Sequence, residues 1–183
     1  MPNNCQNRLI VEGPAADVGR FRAQAAEGVR DDGRPIVFGI RNFVPEPPEG
    51  DPRRHPSSTC EGGWDWHSWR CDNWGTKWDV YDVALDGGGP EVLAYRFESA
   101  WAPPTEGVRR IAMAYPRLTL TLIYMEAGMQ FYGHIKFRDE AVLEQEQRKY
   151  EDALEYDEED EVSAVNDPIL KAHVEAYGFG FTA

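Results

Sequence analysis

The strongest constraint on the fold is a stretch from Leu118 to Phe137 in which apolar side chains recur at every second residue. In its first half, Leu118, Leu120, Leu122 and Tyr124 alternate with threonines and an isoleucine. In its second half, after Ala127-Gly128, the alternating positions are Met129, Phe131, Gly133, Ile135 and Phe137. A period of two is that of a strand with one buried face, and Gly favours a turn. The sequence therefore predicts an antiparallel hairpin whose one face packs on a core.

Other periodic segments place helices and further strands before this hairpin. Pro103-Pro104 precedes four apolar residues at the i, i+3, i+4 and i+7 spacing of a helix face: Val108, Ile111, Ala112 and Tyr115. An earlier helix is predicted after Gly13-Pro14, with Val18, Phe21, Ala25 and Val29 on its apolar face. Strands are predicted at 7–11, 36–44, 78–85 and 92–101, and the five prolines of 45–59 predict an irregular loop.

The order of these elements predicts the fold class. If a Trp-rich insert at about 45–76 and one extra strand are set aside, the order is β-α-β-β-α-β. This is the order of a ferredoxin-like domain, in which two helices cover one face of an antiparallel sheet. We therefore expect an α+β body over 1–138, with four core strands extended by one or two more and with the other sheet face open.

Negative charge is concentrated near the C-terminus. The chain carries a net charge of −13, and residues 139–162 hold twelve acids against Arg148 and Lys149. The acidity disfavours direct nucleic-acid binding and contact with anionic membranes. Leu143, Tyr150 and Leu154 recur at i, i+7 and i+11, which predicts a helix over 140–156. A second short helix, from Pro168 to about residue 177 with Asp167 as its cap, completes an acidic helical C-terminal region over 139–183.

Cellular location and redox state are also predicted from the sequence. No run approaches eighteen apolar residues, and the first residues lack a signal pattern, so we expect a cytoplasmic protein without a membrane partner. Three cysteines are an odd number, which disfavours a disulfide framework.

Five short segments carry a family resemblance. They are Pro2-Asn3 with Cys5, Asn7-Arg8-Leu9, the stretch NWGTKWD at 73–79, the stretch YRFESAW at 95–101 with the following prolines, and YMEAG at 124–128. Together they resemble the YubB-like proteins found on plasmids, phages and integrated elements, over about residues 1–137. The resemblance implies a ferredoxin-like domain, and it supplies no biochemical activity.

Five tryptophans lie within fifteen residues: Trp64, Trp66, Trp69, Trp74 and Trp78. One interpretation is a satellite core that buries the insert, and the other is a recognition surface for a partner or for stacked bases. We expect Trp74 and Trp78 to be buried, with Lys77 projecting outward between them. The same region contains His55, Cys60, His67 and Cys71, which are zinc-ligand types without the spacing of a standard zinc site. We therefore expect free cysteines, no metal and no cofactor.

The chain contains no nucleophile elbow, P-loop or dinucleotide-binding glycine motif. The remaining candidates for chemistry are Arg96, Glu98, Tyr132 and His134, which the strand alternation places on the open sheet face. They fit acid/base work or anion binding, and they equally fit a solvated face with cross-strand pairs.

These observations lead us to expect a non-enzymatic accessory protein of a mobile element that binds a host or element-encoded protein. Carboxylates can replace phosphates opposite Lys and Arg, so the acidic region suggests a nucleic-acid mimic that occupies a basic groove of a host defence complex, of the anti-CRISPR or anti-restriction type. The expected contact residues are Trp64, Trp66, Trp69, Trp74, Lys77, Glu151, Asp157, Glu158, Glu159, Asp160 and Glu161. The alternative is an enzyme or a nucleotide- or nucleic-acid-binding module that uses the open sheet face.

Overall fold

A computed structural model describes residues 3–30, 32–56, 63–156, 162–168, 170–171 and 175. Its helices are α1 (Ala15–Ala25), α2 (Trp66–Trp74) and α3 (Thr105–Ala114). Its strands are β1 (Asn4–Glu12), β2 (Tyr81–Gly88), β3 (Val92–Ala100), β4 (Thr119–Glu126), β5 (Phe131–Arg138), β6 (Ala141–Lys149), β7 (Leu154–Tyr156) and β8 (Val162–Val165). Within these ranges, none of the helices is long and apolar enough to cross a bilayer.

Six strands form one antiparallel sheet in the order β2-β3-β1-β4-β5-β6. Its first four strands, with α1 after β1 and α3 after β3, reproduce the split arrangement of a ferredoxin-like domain. The predicted α+β fold is therefore confirmed, and β5 and β6 are the two additional strands. The short strands β7 and β8 pair with each other in a separate hairpin.

The main core lies between the sheet and the helices. The predicted face of α3 is confirmed, because Val108, Ile111 and Ala112 are fully buried. They pack with alternate residues of the central strands, such as Leu9 of β1 and Phe97 of β3. On α1 the predicted core residues are also confirmed, with the exception of Val29, which is 66% exposed because the helix ends at Ala25 and the chain turns at Gly28 with φ of 88°.

The N-terminal end of α1 is fastened to the body by a buried acid. Asp17 is ion-paired with Arg20 one turn along the helix and with Arg117, whose Nη2 lies 2.6 Å from its Oδ2. The hydrogen bond from Arg20 lowers the pKa of Asp17, and the bond and charge of Arg117 lower it further against the opposing effect of desolvation.

The predicted strand over 36–44 is wrong. This segment is a loop with one 3-10 turn at Ile40–Asn42, although Phe38 and Ile40 are buried in the main core. Its apolar residues therefore indicated burial correctly and the type of structure incorrectly. The loop is held by side-chain contacts, since Asp79 accepts a hydrogen bond from the Ile40 backbone N–H at 2.8 Å.

The Trp-rich insert folds as α2 and the segments around it. Asp65 begins the helix by accepting a hydrogen bond from the Ser68 N–H at 3.0 Å, and Gly75 ends it in the left-handed conformation with φ of 80°. Trp74, at the last position of α2, is buried in the main core and donates its indole N–H to the Val44 carbonyl at 2.8 Å. The predicted loop over 45–59 is irregular in its described part, 45–56.

The predicted helix over 140–156 is also wrong. Residues 141–149 form β6, which pairs along β5, and they are followed by a 3-10 turn at Tyr150–Asp152 and by β7. These residues form a strand because the edge of β5 offers backbone groups for hydrogen bonding, and the i, i+7 spacing of apolar residues does not show that such an edge is nearby. Tyr150 and Leu154, two of the residues in that pattern, belong instead to a second buried cluster with Met125, Tyr132, Ala153 and Leu170.

The predicted cap at Asp167 is confirmed, because its Oδ1 accepts a hydrogen bond from the Leu170 N–H at 3.1 Å and a helical turn begins at Pro168. Of the rest of that helix, the structure describes only residues 170, 171 and 175, and the acidic run over 157–161 lies outside the described residues.

Candidate functional site

A groove of about 800 Å³ opens beside the β2 edge of the sheet. It lies between the 30–46 loop, α2 and the start of β2. We call it the Trp78 groove, and its lining includes Arg30, Asp32, Ile36, Val37, Arg41, Glu46, Arg70, Trp74, Trp78, Asp79, Tyr81 and Val83. The volume falls within the range of small-ligand clefts, about 300 to 1,000 Å³.

Charge around the Trp78 groove is balanced by ion pairs. Arg41 Nε lies 2.7 Å from Asp79 Oδ2, and Arg70 is paired with Glu46. Arg30 lies 3.8 Å from Asp32. Because each arginine already faces a carboxylate, the groove presents a nearly neutral polar rim over an apolar floor.

Asp79 connects two of the segments that form the groove. Its Oδ1 accepts hydrogen bonds from the backbone N–H groups of Ile40 and Val80 at 2.8 and 2.9 Å. Its Oδ2 accepts a hydrogen bond from Arg41 Nε. These bonds connect the 30–46 loop to the chain just before β2. The acid therefore fixes the groove's shape and keeps little bonding capacity for a ligand.

The deeper tryptophans of the insert are packed against one another. Trp74 is 3% exposed and meets Trp69 edge to face at 5.7 Å between ring centroids. Trp64 is buried 6.4 Å from Trp69, and its ring is covered by the Arg54 guanidinium at 4.6 Å. These three side chains form a core extension, which supports the satellite-core interpretation and removes Trp64 and Trp74 from the predicted contact surface.

The outer aromatic side chains are half-buried. Trp66 is stacked by the Arg70 guanidinium at 4.8 Å from its ring centroid. Trp78 lines the groove and is half-buried, so the expected burial holds fully for Trp74 and only in part for Trp78. Lys77 lies with its Nζ 5.1 Å from the Trp78 ring centroid, a cation–π contact, instead of projecting away from both tryptophans.

The predicted sheet-face residues lie on the open face but do not form one cluster. Arg96 Nε lies 3.0 Å from Asp86 Oδ2, and Glu98 accepts a hydrogen bond from Asn4 Nδ2 at 2.6 Å. Burial raises the pKa of Glu98, and the charge of Asp82 raises it further. Two strands separate Arg96 from His134, a span of roughly 14 Å at the usual strand spacing.

Tyr132 and His134 occupy different surroundings on β5. Tyr132 is buried in the second cluster, where burial, followed by a hydrogen bond with Asp167, raises its pKa to about 12. His134 is 16% exposed, with Nε2 3.9 Å from Glu144 Oε2 and Nδ1 buried without a hydrogen-bond partner. The covered tyrosine is therefore not available to act with the histidine.

The remaining predicted residues are spread over the surface. Glu151 is exposed and ion-paired with Lys149 at 3.2 Å, whereas Asp157, Glu158, Glu159, Asp160 and Glu161 lie outside the described residues. His55, His67 and Cys71 are exposed, and in the described ranges no three potential metal ligands come together. Cys60 lies outside those ranges. Cys5 is fully buried, and desolvation raises the pKa of its thiol strongly.

Sequence reasoning missed Val37 as groove wall and Gln6 and Arg8 as members of the open face. The groove joins segments about forty residues apart, so no local pattern reveals it. The open-face residues could have been found, because Gln6 and Arg8 alternate along β1 with the buried residues Cys5, Asn7 and Leu9.

With this geometry established, the comparisons with known proteins identify the family. A model described as the ferredoxin-like domain in Api92-like protein matches residues 73–167, just over half of the chain. The chain belongs to this Api92-like family. Its fold is similar to that in the crystal structure of a protein Api92 from Yersinia pseudotuberculosis, at 11% identity and a TM-score of 0.53, over 81% of this chain and 98% of that one. At this identity the similarity concerns the fold alone, and the search of curated proteins finds no match.

Proposed function

We propose that this Api92-like chain is a non-enzymatic binding protein whose Trp78 groove receives an extended segment of a protein partner. The observation that carries the proposal is the position of the groove, which runs against the first residues of an edge strand. Tyr81 and Val83 of β2 line it directly.

The edge of β2 gives an extended segment a place to pair. Within the described part of the chain, β2 pairs with β3 and forms one end of the sheet, so its outer backbone groups are available to a strand added from outside. The register shift between Tyr81 and Ala84 and the φ of 49° at Asp82 bend the strand. Pairing is therefore confined to a short stretch, and side chains in the groove must supply the remaining affinity.

The chemistry of the groove favours a peptide over a nucleic acid. Val37 is 38% exposed and faces the same cavity as Trp78, which offers an apolar pocket for an anchor side chain. Arg41 and Arg70 are neutralised by their own carboxylate partners, so they offer little net attraction to a phosphate backbone. The partner segment we propose is uncharged or of mixed charge, with one bulky apolar residue.

Selection of random displayed peptides on the purified protein tests this proposal. We expect the selected peptides to share a bulky apolar residue and to lose binding to Val37→Asp. The matched control is Met129→Asp, which places the same charge on an exposed apolar residue in the β4–β5 turn, and it should bind normally. The proposal would be overturned if the selected peptides bound Val37→Asp as tightly as wild type, or if no peptide were selected.

The acidic region is the second contact surface of this proposal. Its support is the charge of residues 139–162 and the exposure of β6, where Glu144 and Glu146 lie on the edge strand. The proposed partner carries a basic nucleic-acid-binding groove, as in a host defence complex opposed by a plasmid- or phage-borne YubB-like protein. Binding to such a partner should weaken steeply as salt rises from about 0.05 to 0.5 M, because exposed charges are screened. Binding unchanged when Glu158, Glu159, Asp160 and Glu161 are neutralised together would assign this region no role in recognition.

A further inference from the structure

We infer that the outer edge of β6 binds a second copy of this chain. The two β6 strands pair antiparallel about a two-fold axis at Gln147, so that one sheet continues through a symmetric dimer. This inference goes beyond the proposed function. It uses the edge of the sheet opposite to β2, and the Trp78 groove stays open in both copies.

β6 is a long edge strand that is open to solvent. It has nine residues, all exposed except the half-buried Glu146, and within the described ranges it pairs only with β5. Val142 and Leu143 at its start are 48% and 50% exposed. Proteins usually shorten or cover such an edge, because its unpaired N–H and C=O groups are a template for another strand. An uncovered edge of this length indicates a place where a strand from another chain can pair.

The second half of β6 is the part suited to this pairing. The register with β5 shifts at Leu143, which is the extra residue of a bulge, and a bulge bends its strand. From Glu144 to Lys149 the pairing with β5 is regular, and after Lys149 the chain turns away at Tyr150–Asp152. The regular stretch open to a second copy is therefore 144–149.

The charges in this stretch are complementary to themselves when it runs antiparallel to a second copy. An axis at Gln147 places Glu146 of each copy directly opposite Arg148 of the other. Because Glu146 and Arg148 of one chain are also paired, with Nε 2.7 Å from Oε1, the four side chains alternate in sign around the axis. Opposite charges on directly opposed residues stabilise a strand pair, and a network is worth more than an isolated exposed pair.

The same charges exclude the neighbouring registers. Side chains that oppose each other must lie on one face of the sheet, so each possible axis passes through a residue. An axis at Gln145 opposes Glu144 to Glu146 of the second copy, and an axis at any charged residue of 144–149 opposes that residue to itself. Only the axis at Gln147 gives a pairing without like charges, which is why we commit to a second copy in this register.

Arg148 is held in position before the second copy binds. Asp167 is 6% exposed, and its Oδ2 lies 2.7 Å from Arg148 Nη1. A side chain that is already ordered loses less conformational entropy on association. The cation of the proposed network is therefore preorganised at the edge.

Sedimentation velocity of the full chain, over about 1 to 200 µM in about 0.15 M salt, tests the dimer. A pairing of two short strands buries a small interface, and we expect a dissociation constant in the micromolar range. The sedimentation coefficient should rise from the monomer value to the dimer value over this range. A chain that stays monomeric at about 200 µM would overturn the inference.

The charge network is tested by Glu146→Lys, with Glu91→Lys as the matched control. Glu91 is exposed in the turn between β2 and β3, at the opposite end of the strand order. Both variants reduce the net charge of −13 equally, so weaker general repulsion would favour dimers of both. The network instead predicts a dissociation constant at least tenfold higher for Glu146→Lys alone. An unchanged or lower constant for Glu146→Lys would refute the pairing.

Disulfide trapping tests the register, in a variant with Cys60 and Cys71 replaced by serine and with Cys5 buried. Gln147→Cys lies opposite its own copy and should give a disulfide-linked dimer under mild oxidation. Gln145→Cys is the control on the same face. Its copy lies four residues further along the partner strand, about 13 Å away and beyond the roughly 7 Å between Cα atoms that a disulfide spans.

Equal linking rates for Gln147→Cys and Gln145→Cys would indicate random collision and refute the inference. Neither the trapping nor the sedimentation measurement involves Val37 or a displayed peptide. The dimer and the peptide groove can therefore fail separately.

Discussion

Replacement of Trp74 by alanine is the sharpest test of the conclusion that the Trp-rich insert is part of the core. A buried tryptophan removes about 150 to 250 Å² from water, worth about 4 to 6 kcal/mol at about 25 cal/mol per Å² as an upper bound. Large-to-small aromatic replacements in cores cost about 3 to 5 kcal/mol. The lost hydrogen bond to the Val44 carbonyl adds about 1 kcal/mol. We therefore expect Trp74→Ala to lower the free energy of unfolding by about 4 kcal/mol.

Two companion variants in the same helix or at the same position show which contact matters. Trp66 is half-buried and stacked on Arg70, so Trp66→Ala should cost about half as much as Trp74→Ala. Trp74→Phe keeps a ring in the core and loses the indole N–H, and it should cost about 1 to 2 kcal/mol. Trp66→Ala therefore removes the outer ring that stacks on Arg70, and Trp74→Phe removes the hydrogen bond of the inner ring.

Urea unfolding followed by far-UV circular dichroism measures these changes, since tryptophan fluorescence differs between the variants. For a chain of this size, a loss of about 4 kcal/mol lowers the melting temperature by roughly 8 to 16 °C. A folded Trp74→Ala protein that loses less than about 1 kcal/mol would refute the assignment of Trp74 to the core. A larger loss for Trp66→Ala than for Trp74→Ala would do the same.

Three further predictions concern charge, thiol reactivity and backbone strain. The arginine partners of Asp17 lower its folded-state pKa, so its contribution to stability is present above its unfolded pKa of about 4 and is lost as pH falls through the folded value. The difference in unfolding free energy between wild type and Asp17→Asn, measured by urea unfolding, should therefore shrink between about pH 5 and 2. In a variant lacking Cys60, an aromatic disulfide reagent should label exposed Cys71 in the folded protein and reach buried Cys5 only after unfolding, and equal labelling rates would contradict the burial. Trp101 is half exposed with φ of 70°, so in Trp101→Gly the relief of backbone strain should offset much of the lost burial. Its melting temperature should therefore fall less than that of Trp66→Ala, and an equal or larger fall would contradict the strain at this position.

The fold class follows from the sequence because its signals are local. The alternation from Leu118 to Phe137 and the i, i+3, i+4, i+7 spacing in α3 each lie within one element, and a helix or strand exposes one face at a fixed period. The order of those elements then leaves few ways to cover one face of a sheet, and the ferredoxin-like arrangement is one of them.

Only the tertiary structure decides how the less regular segments are buried. Apolar residues over 36–44 and 140–156 indicate burial, but a loop, a helix and a strand can each bury the same side chains. Residues 141–149 form a strand because β5 offers an unpaired edge, which is a backbone partner from elsewhere in the chain. The Trp78 groove likewise joins residues far apart in sequence. Local periodicity indicates which residues are buried, whereas their contacts depend on packing across the whole chain. The Trp78 groove consists of such contacts.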